Sequence, residues 1–126
     1  MPTSSKKILA VVNDLLFTVK ISDAAKRNGF EAVFLKSEKE VLEHAQAEKP
    51  LMVIVDLNAN SVKPVELIER LKSHEELKRV TIISFVSHVQ GELKQRAHDA
   101  GANMVLARSA FSTNLPQILK RHAGGI

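Results

Sequence analysis

Apolar residues along this chain fall into two alternating patterns. Residues 8–12, 32–35, 51–55, 80–86 and 103–107 are short runs dense in aliphatic side chains and Phe. Runs of that length and continuity predict strands, and the most continuous of them a strand buried on both faces, as the inner strands of a parallel sheet are. The clearest is Leu51-Met52-Val53-Ile54-Val55, which follows Pro50 and ends on a lone carboxylate, Asp56. Between the runs, apolar residues recur every three or four positions, the spacing of an amphipathic helix. In the first such segment, up to residue 27, Leu15, Val19 and Ser22 share one line, with Leu16, Ala24 and Ala25 beside it. Val41, Leu42 and Ala45 mark the second helix, and Val65, Ile68 and Leu71 the third. Leu93, Ala97 and Ala100 mark the fourth, and Leu115, Ile118 and Leu119 the fifth.

The ends of these segments carry matching punctuation. Asn13 and Asp14 are both good N-caps for the first helix, and Asn28-Gly29 ends it with residues that tolerate a left-handed backbone. Ser37, with Glu40 three residues on, forms a capping box for the second helix, which stops near Lys49-Pro50. Pro64 suits the first turn of the third helix, and Gly101 ends the fourth. Pro116 is expected in the first turn of the fifth, where a missing N–H breaks no bond. Five alternations of strand and helix imply a parallel sheet, helices on both faces and right-handed crossovers. Residues 1–126 thus read as one α/β domain: a doubly wound, flavodoxin-like (βα)5 fold with strand order 2-1-3-4-5.

Composition narrows the setting. The absence of Cys excludes disulfides and thiolate metal sites. The N-terminal residues lack the apolar stretch of a signal peptide, and no apolar run approaches membrane-spanning length, so a cytoplasmic protein without membrane contact is expected. The net charge of +4 is uneven: residues 1–76 hold 11 Lys/Arg against 12 Asp/Glu, and residues 77–126 hold 7 against 2. A basic second half suits an acidic partner, nucleic acid included. The excess is spread over several segments, however, and a chain with no Trp or Tyr offers no aromatic platform for bases. A solvated basic surface is the simpler reading.

The first residues after each strand line one rim of such a fold, where open α/β sheets bind ligands. They are Asn13 and Asp14, then Asp56 and Asn58, then Ser87 and His88, then Arg108 and Ser109. A carboxylate, amide oxygens, a hydroxyl and a cation are the raw material for holding a phosphoryl group or a divalent ion. Asp56 has two readings: it sits in the ligand position, or it merely ends its strand and caps the next loop. The lack of a Gly-rich loop after strand one or three argues against P-loop and dinucleotide modes. No His pair has metal-ligand spacing, and the five His read as solvated surface residues.

From end to end the chain resembles a response-regulator receiver domain of two-component signalling. The resemblance rests on residues 8–12, Asn28-Gly29-Phe30, Val53-Ile54-Val55-Asp56-Leu57 and Ala100-Gly101-Ala102. It implies that Asp56 is the acceptor of a phosphoryl group from a partner histidine kinase. It puts the family's Mg²⁺-binding acidic pair on Val12 and Asn13, with Asp14 one place late. It puts the Ser or Thr that contacts the phosphoryl group on Val86, just before Ser87. The family's Lys falls on Arg108, the Pro after it on Ser109, and the aromatic switch residue on Val105.

These departures have physical weight. Phosphoryl transfer to a carboxylate needs its developing charge neutralised by a metal and a cation. Asp56 with the Asn13 amide and one carbonyl would hold Mg²⁺ weakly at best, even if Asp14 and Asn58 took part. Val86 cannot donate a hydrogen bond, and Arg108 offers a planar fork where Lys is a point charge. Arg108 is expected to pair with Asp56, and the chain through Ala110 and Phe111 to leave the family's path, since Arg108-Ser109 has no cis tendency.

The expected function is a stand-alone, degenerate receiver-like signalling module, without output domain or enzymatic activity, acting by protein–protein contact. Its partner would be a signalling protein such as a histidine kinase, and a homodimer is compatible. The resemblance implies an output face on the fourth helix, fifth strand and fifth helix, around Lys94, Arg96, His98, Gln117, Lys120 and Arg121, with Ala97 and Val105 between them. The alternative is a working receiver, phosphorylated on Asp56, with its Mg²⁺ site rebuilt through Asp14. Direct nucleic-acid binding is the weakest of the three.

Overall fold

The computed structural model describes residues 6–87 and 91–124. Strands β1 (Lys7–Val11), β2 (Glu31–Phe34), β3 (Met52–Asp56), β4 (Thr81–Val86) and β5 (Met104–Ala107) alternate with helices α1 (Leu15–Arg27), α2 (Glu38–Glu48), α3 (Pro64–Ser73), α4 (Gly91–Ala100) and α5 (Arg108–Gly124). The strands form one sheet in the order β2-β1-β3-β4-β5, and every pairing is parallel. This is the doubly wound order that the alternation predicts. β3 lies at the centre, buried along its whole length, which is why its sequence shows no polar alternation.

Alternate residues of each strand feed two cores. On one face Leu9, Val11, Val53, Val55, Ile82 and Val86 pack with Val41 and Ala45 of α2, Leu67, Ile68 and Leu71 of α3, and Ala97 of α4. On the other, Ile8, Ala10, Met52, Ile54, Ile83 and Phe85 pack with α1 and α5. At Gly101 the backbone has φ +122°, and an added Cβ would lie 2.6 Å from Cγ of Lys72, so only glycine fits this turn out of α4.

The caps follow the sequence, with one variation. Asp14 Oδ1 accepts the N–H groups of Leu16 and Phe17. Ser37 Oγ accepts the Glu40 N–H at 3.1 Å. Glu40 returns the bond to the N–H of Lys36, at 3.2 Å, one residue before the position a capping box uses.

Two expectations are corrected. The inward face of α1 is Phe17, Ile21, Ala24 and Ala25, while Leu15, Leu16 and Val19 are exposed. The line through Phe17 and Ile21 has the better i, i+4, i+7, i+8 spacing, and it brings the bulkiest side chain of the helix onto the sheet. The second correction is Pro116, which lies well inside α5 because that helix starts at Arg108, directly after Ala107. The chain turns helical directly after β5 and carries Phe111 into the core. Pro116 faces outward, so the Ser112 carbonyl that loses its i+4 partner is near solvent.

Candidate functional site

Parallel strands place all their carboxyl ends on one rim, and β3 delivers Asp56 there. Its side chain is nearly enclosed, at 6% exposure. Asp56 Oδ1 accepts the N–H of Asn58 at 2.9 Å. Burial pushes the carboxyl above its ordinary range, and the Asn58 N–H only partly opposes that rise.

The loops around Asp56 are tied to one another. Asn13, between β1 and α1, donates its amide N–H to Asn60 Oδ1 in the loop between β3 and α3. The Asn13 Oδ1 accepts from Ser61 Oγ at 3.4 Å. Asn58 Oδ1 accepts the backbone N–H of Ser87, just beyond β4, at 2.7 Å. Asn58 links Asp56 to Ser87, and Asn13 is tied to the loop that carries Asn58, so all four lie in one cluster. Asn60 and Ser61 belong to it as well, and sequence reasoning missed them, because a polar loop carries no periodicity that aims its side chains. His88 lies outside the described residues.

Asp14 and Arg108 form a second group. Arg108 donates to Asp14 Oδ2, not to Asp56 as the sequence suggested, and its guanidinium carbon lies 4.6 Å from the centre of the Phe17 ring. Phe17 stacks on Phe85 at 5.0 Å, and Phe85 on Phe111 at 4.5 Å. Phe85 lies opposite Asp56 in the β3–β4 ladder. The Arg108 fork thus has a carboxylate at its end and an aromatic face beside it, which is what a planar cation prefers and a lysine uses less well. The early start of α5 turns Arg108 towards α1, and the i, i+3 spacing of Arg108 and Phe111 was the sequence signal for it.

Val86 is buried, at 1% exposure, on the α2–α4 face of the sheet, and Val105 packs half-buried against the same core. Neither offers a polar group to the rim. Ala97 is fully buried beneath α4 and drops out of the expected surface. Lys94, Arg96, His98, Gln117, Lys120 and Arg121 are exposed.

The fit of Mg²⁺ can be judged from the donors present. Asp56 is a single carboxylate, Asp14 is held by Arg108 while it caps α1, and the Asn13 amide oxygen already accepts from Ser61. Among the described residues, no three acidic or imidazole groups gather so as to hold a metal ion. A single carboxylate already taking an N–H, beside an amide oxygen already taking a hydroxyl, fits Mg²⁺ poorly.

Comparison with known proteins agrees with the fold. The polar-differentiation response regulator DivK of Brucella ovis is 20% identical over 120 residues, which span 95% of this chain and 98% of that relative. A putative response regulator from Chloroflexus aurantiacus superposes with a TM-score of 0.82 at 21% identity, covering 95% and 98% of the two chains. The chemotaxis response regulator CheY4 of Vibrio cholerae gives 0.80 at 22% identity, covering 95% and 99%. Identities so low show a shared fold and no more. The family assignment comes from the sequence itself, whose residues 8–120 match the response regulator receiver domain. With the parallel β2-β1-β3-β4-β5 sheet and a carboxylate at the end of its central strand, the chain belongs to the receiver domain family of two-component response regulators.

Proposed function

We propose that this receiver signals through protein–protein contact, with little or no phosphoryl chemistry at Asp56. The observation that carries this reading is the engagement of Arg108 by Asp14 and Phe17. A phosphoryl group arriving at Asp56 would need a nearby cation, and the cation after β5 is already paired elsewhere. The same ion pair withdraws Asp14 from any rebuilt metal site. Val86 adds no donor to a phosphoryl oxygen. The partner in this reading is another signalling protein, a histidine kinase among them, and Mg²⁺ binds weakly if at all.

The test is an NMR titration with Mg²⁺, alone and with a beryllium fluoride phosphoryl analogue, following the amides of residues 12–14 and 56–58. Shifts that stay unsaturated through the millimolar range are expected. Saturation at sub-millimolar Mg²⁺, or tight binding of the analogue, would establish instead a working receiver phosphorylated on Asp56.

A further inference from the structure

We infer that the loops after β1 and β3, with Ser87 at the end of β4, are held over Asp56 by a clasp of neutral amides, so these described residues keep one closed arrangement without a bound cation. This rests on the reading above and deepens it. Asn13 uses both ends of its amide on the β3–α3 loop, donating to Asn60 Oδ1 and accepting from Ser61 Oγ. Asn58, in that same loop, accepts the Ser87 N–H with its side chain and donates its own N–H to Asp56. The Asp56 carboxyl takes a backbone N–H from the same loop that Asn13 grips from the other side. The loop after β3 is thus joined through side-chain amides to the loop after β1 and to Ser87 at the end of β4, with Asp56 beneath.

A divalent ion joining loops of this kind would bring one or two carboxylates with it, whose charge is left unbalanced when the ion is absent. An amide is both donor and acceptor, so the Asn13–Asn60 pair closes the gap with no charge to balance. Neutral bonds of this kind respond little to ionic strength. Each is exposed and competes with water, so removing one should change local opening on the order of two- to tenfold.

Amide hydrogen exchange by NMR tests the clasp. The readout is the protected N–H groups of Asn58, Ala59 and Ser87, which donate to Asp56 Oδ1, Asp56 O and Asn58 Oδ1. In the wild type, exchange at these sites should be the same in EDTA and in Mg²⁺, and at low and high salt. Asn13→Ala and Asn60→Ala should each speed exchange of Asn58 and Ala59 two- to tenfold, with core amides such as Val53 unchanged. Asn60→Asp, which keeps an acceptor oxygen for Asn13, should retain most of the protection in EDTA. Unchanged exchange in both Ala variants overturns the clasp whatever Mg²⁺ does. Exchange that slows on adding Mg²⁺ to the wild type also overturns it, by showing that closure needs a cation. Saturable metal shifts with a normal response of the Ala variants would overturn only the functional reading on which the clasp rests.

Discussion

Asp56 and Asp14 are carboxylates on the same rim with opposite circumstances. Asp14 is partly exposed, caps α1 and holds Arg108. Asp56 is enclosed, and its folded-state pKa is raised above the ordinary 3.8, chiefly by desolvation. A raised carboxyl pKa means that the folded state binds the proton more tightly than the unfolded state does. Stability contributed by the neutral form is then lost as pH rises from 3.8 through the raised value, and the ionised group is a standing cost above it. Asp56→Asn removes that cost while keeping an oxygen to accept from Asn58. The variant should therefore melt above the wild type at pH 7.5, with the difference closing at pH 3. Thermal melts at the two pH values check this, and a lower melting temperature at pH 7.5 would mean that Asp56 gains more from its donors than it loses by burial.

At the scale of elements, α5 is where local and tertiary preferences disagree. A proline inside a helix removes one hydrogen bond and crowds the preceding turn, so residues 108–115 alone favour a later start. The early start wins because Phe111, Leu115, Ile118 and Leu119 all reach the core opposite α1, and each buried side chain is worth about 1.5–3 kcal/mol. That sum exceeds the roughly 3 kcal/mol an interior proline costs. Pro116→Ala restores the bond to the Ser112 carbonyl, but it also frees the unfolded chain. Urea unfolding should show a net gain of about 1–2 kcal/mol. A loss instead would indicate that the backbone path set by Pro116 is needed to seat the second half of α5 on the sheet.

For the whole molecule, the question is which surface meets a partner and whether Asp56 controls it. Exposed Lys94 and Arg96 on α4, with Lys120 and Arg121 on α5, give this part of the protein a basic surface. In the reading proposed above, Val105 has no ring to swing between a buried and an exposed rotamer, and the rim is not coupled to this face through it. Asp56→Asn is therefore expected to leave partner binding nearly unchanged. Lys94→Glu with Arg96→Glu should weaken it, mainly through slower association, about tenfold or more at low salt. Surface plasmon resonance against the cognate partner separates the two cases. A large loss with Asp56→Asn alone would show that the rim still governs output.

How much of this was legible in the sequence depends on the range of the interactions involved. The strand runs, the caps at Asp14 and Ser37 and the carboxylate at the end of β3 all follow from periodicity and local bonding. Those signals act over a few residues, so the chain announces them directly. Which stripe of α1 turned inward, where α5 began, and whether Arg108 chose Asp14 or Asp56 were settled by packing between segments far apart in the chain. Arg108 and Asp14 are 94 positions apart, and their pairing depends on Phe17, Phe85 and Phe111 having stacked. The Asn13–Asn60–Ser61 contacts are of the same kind: two polar loops reveal no partner until the parallel sheet brings the ends of β1 and β3 side by side.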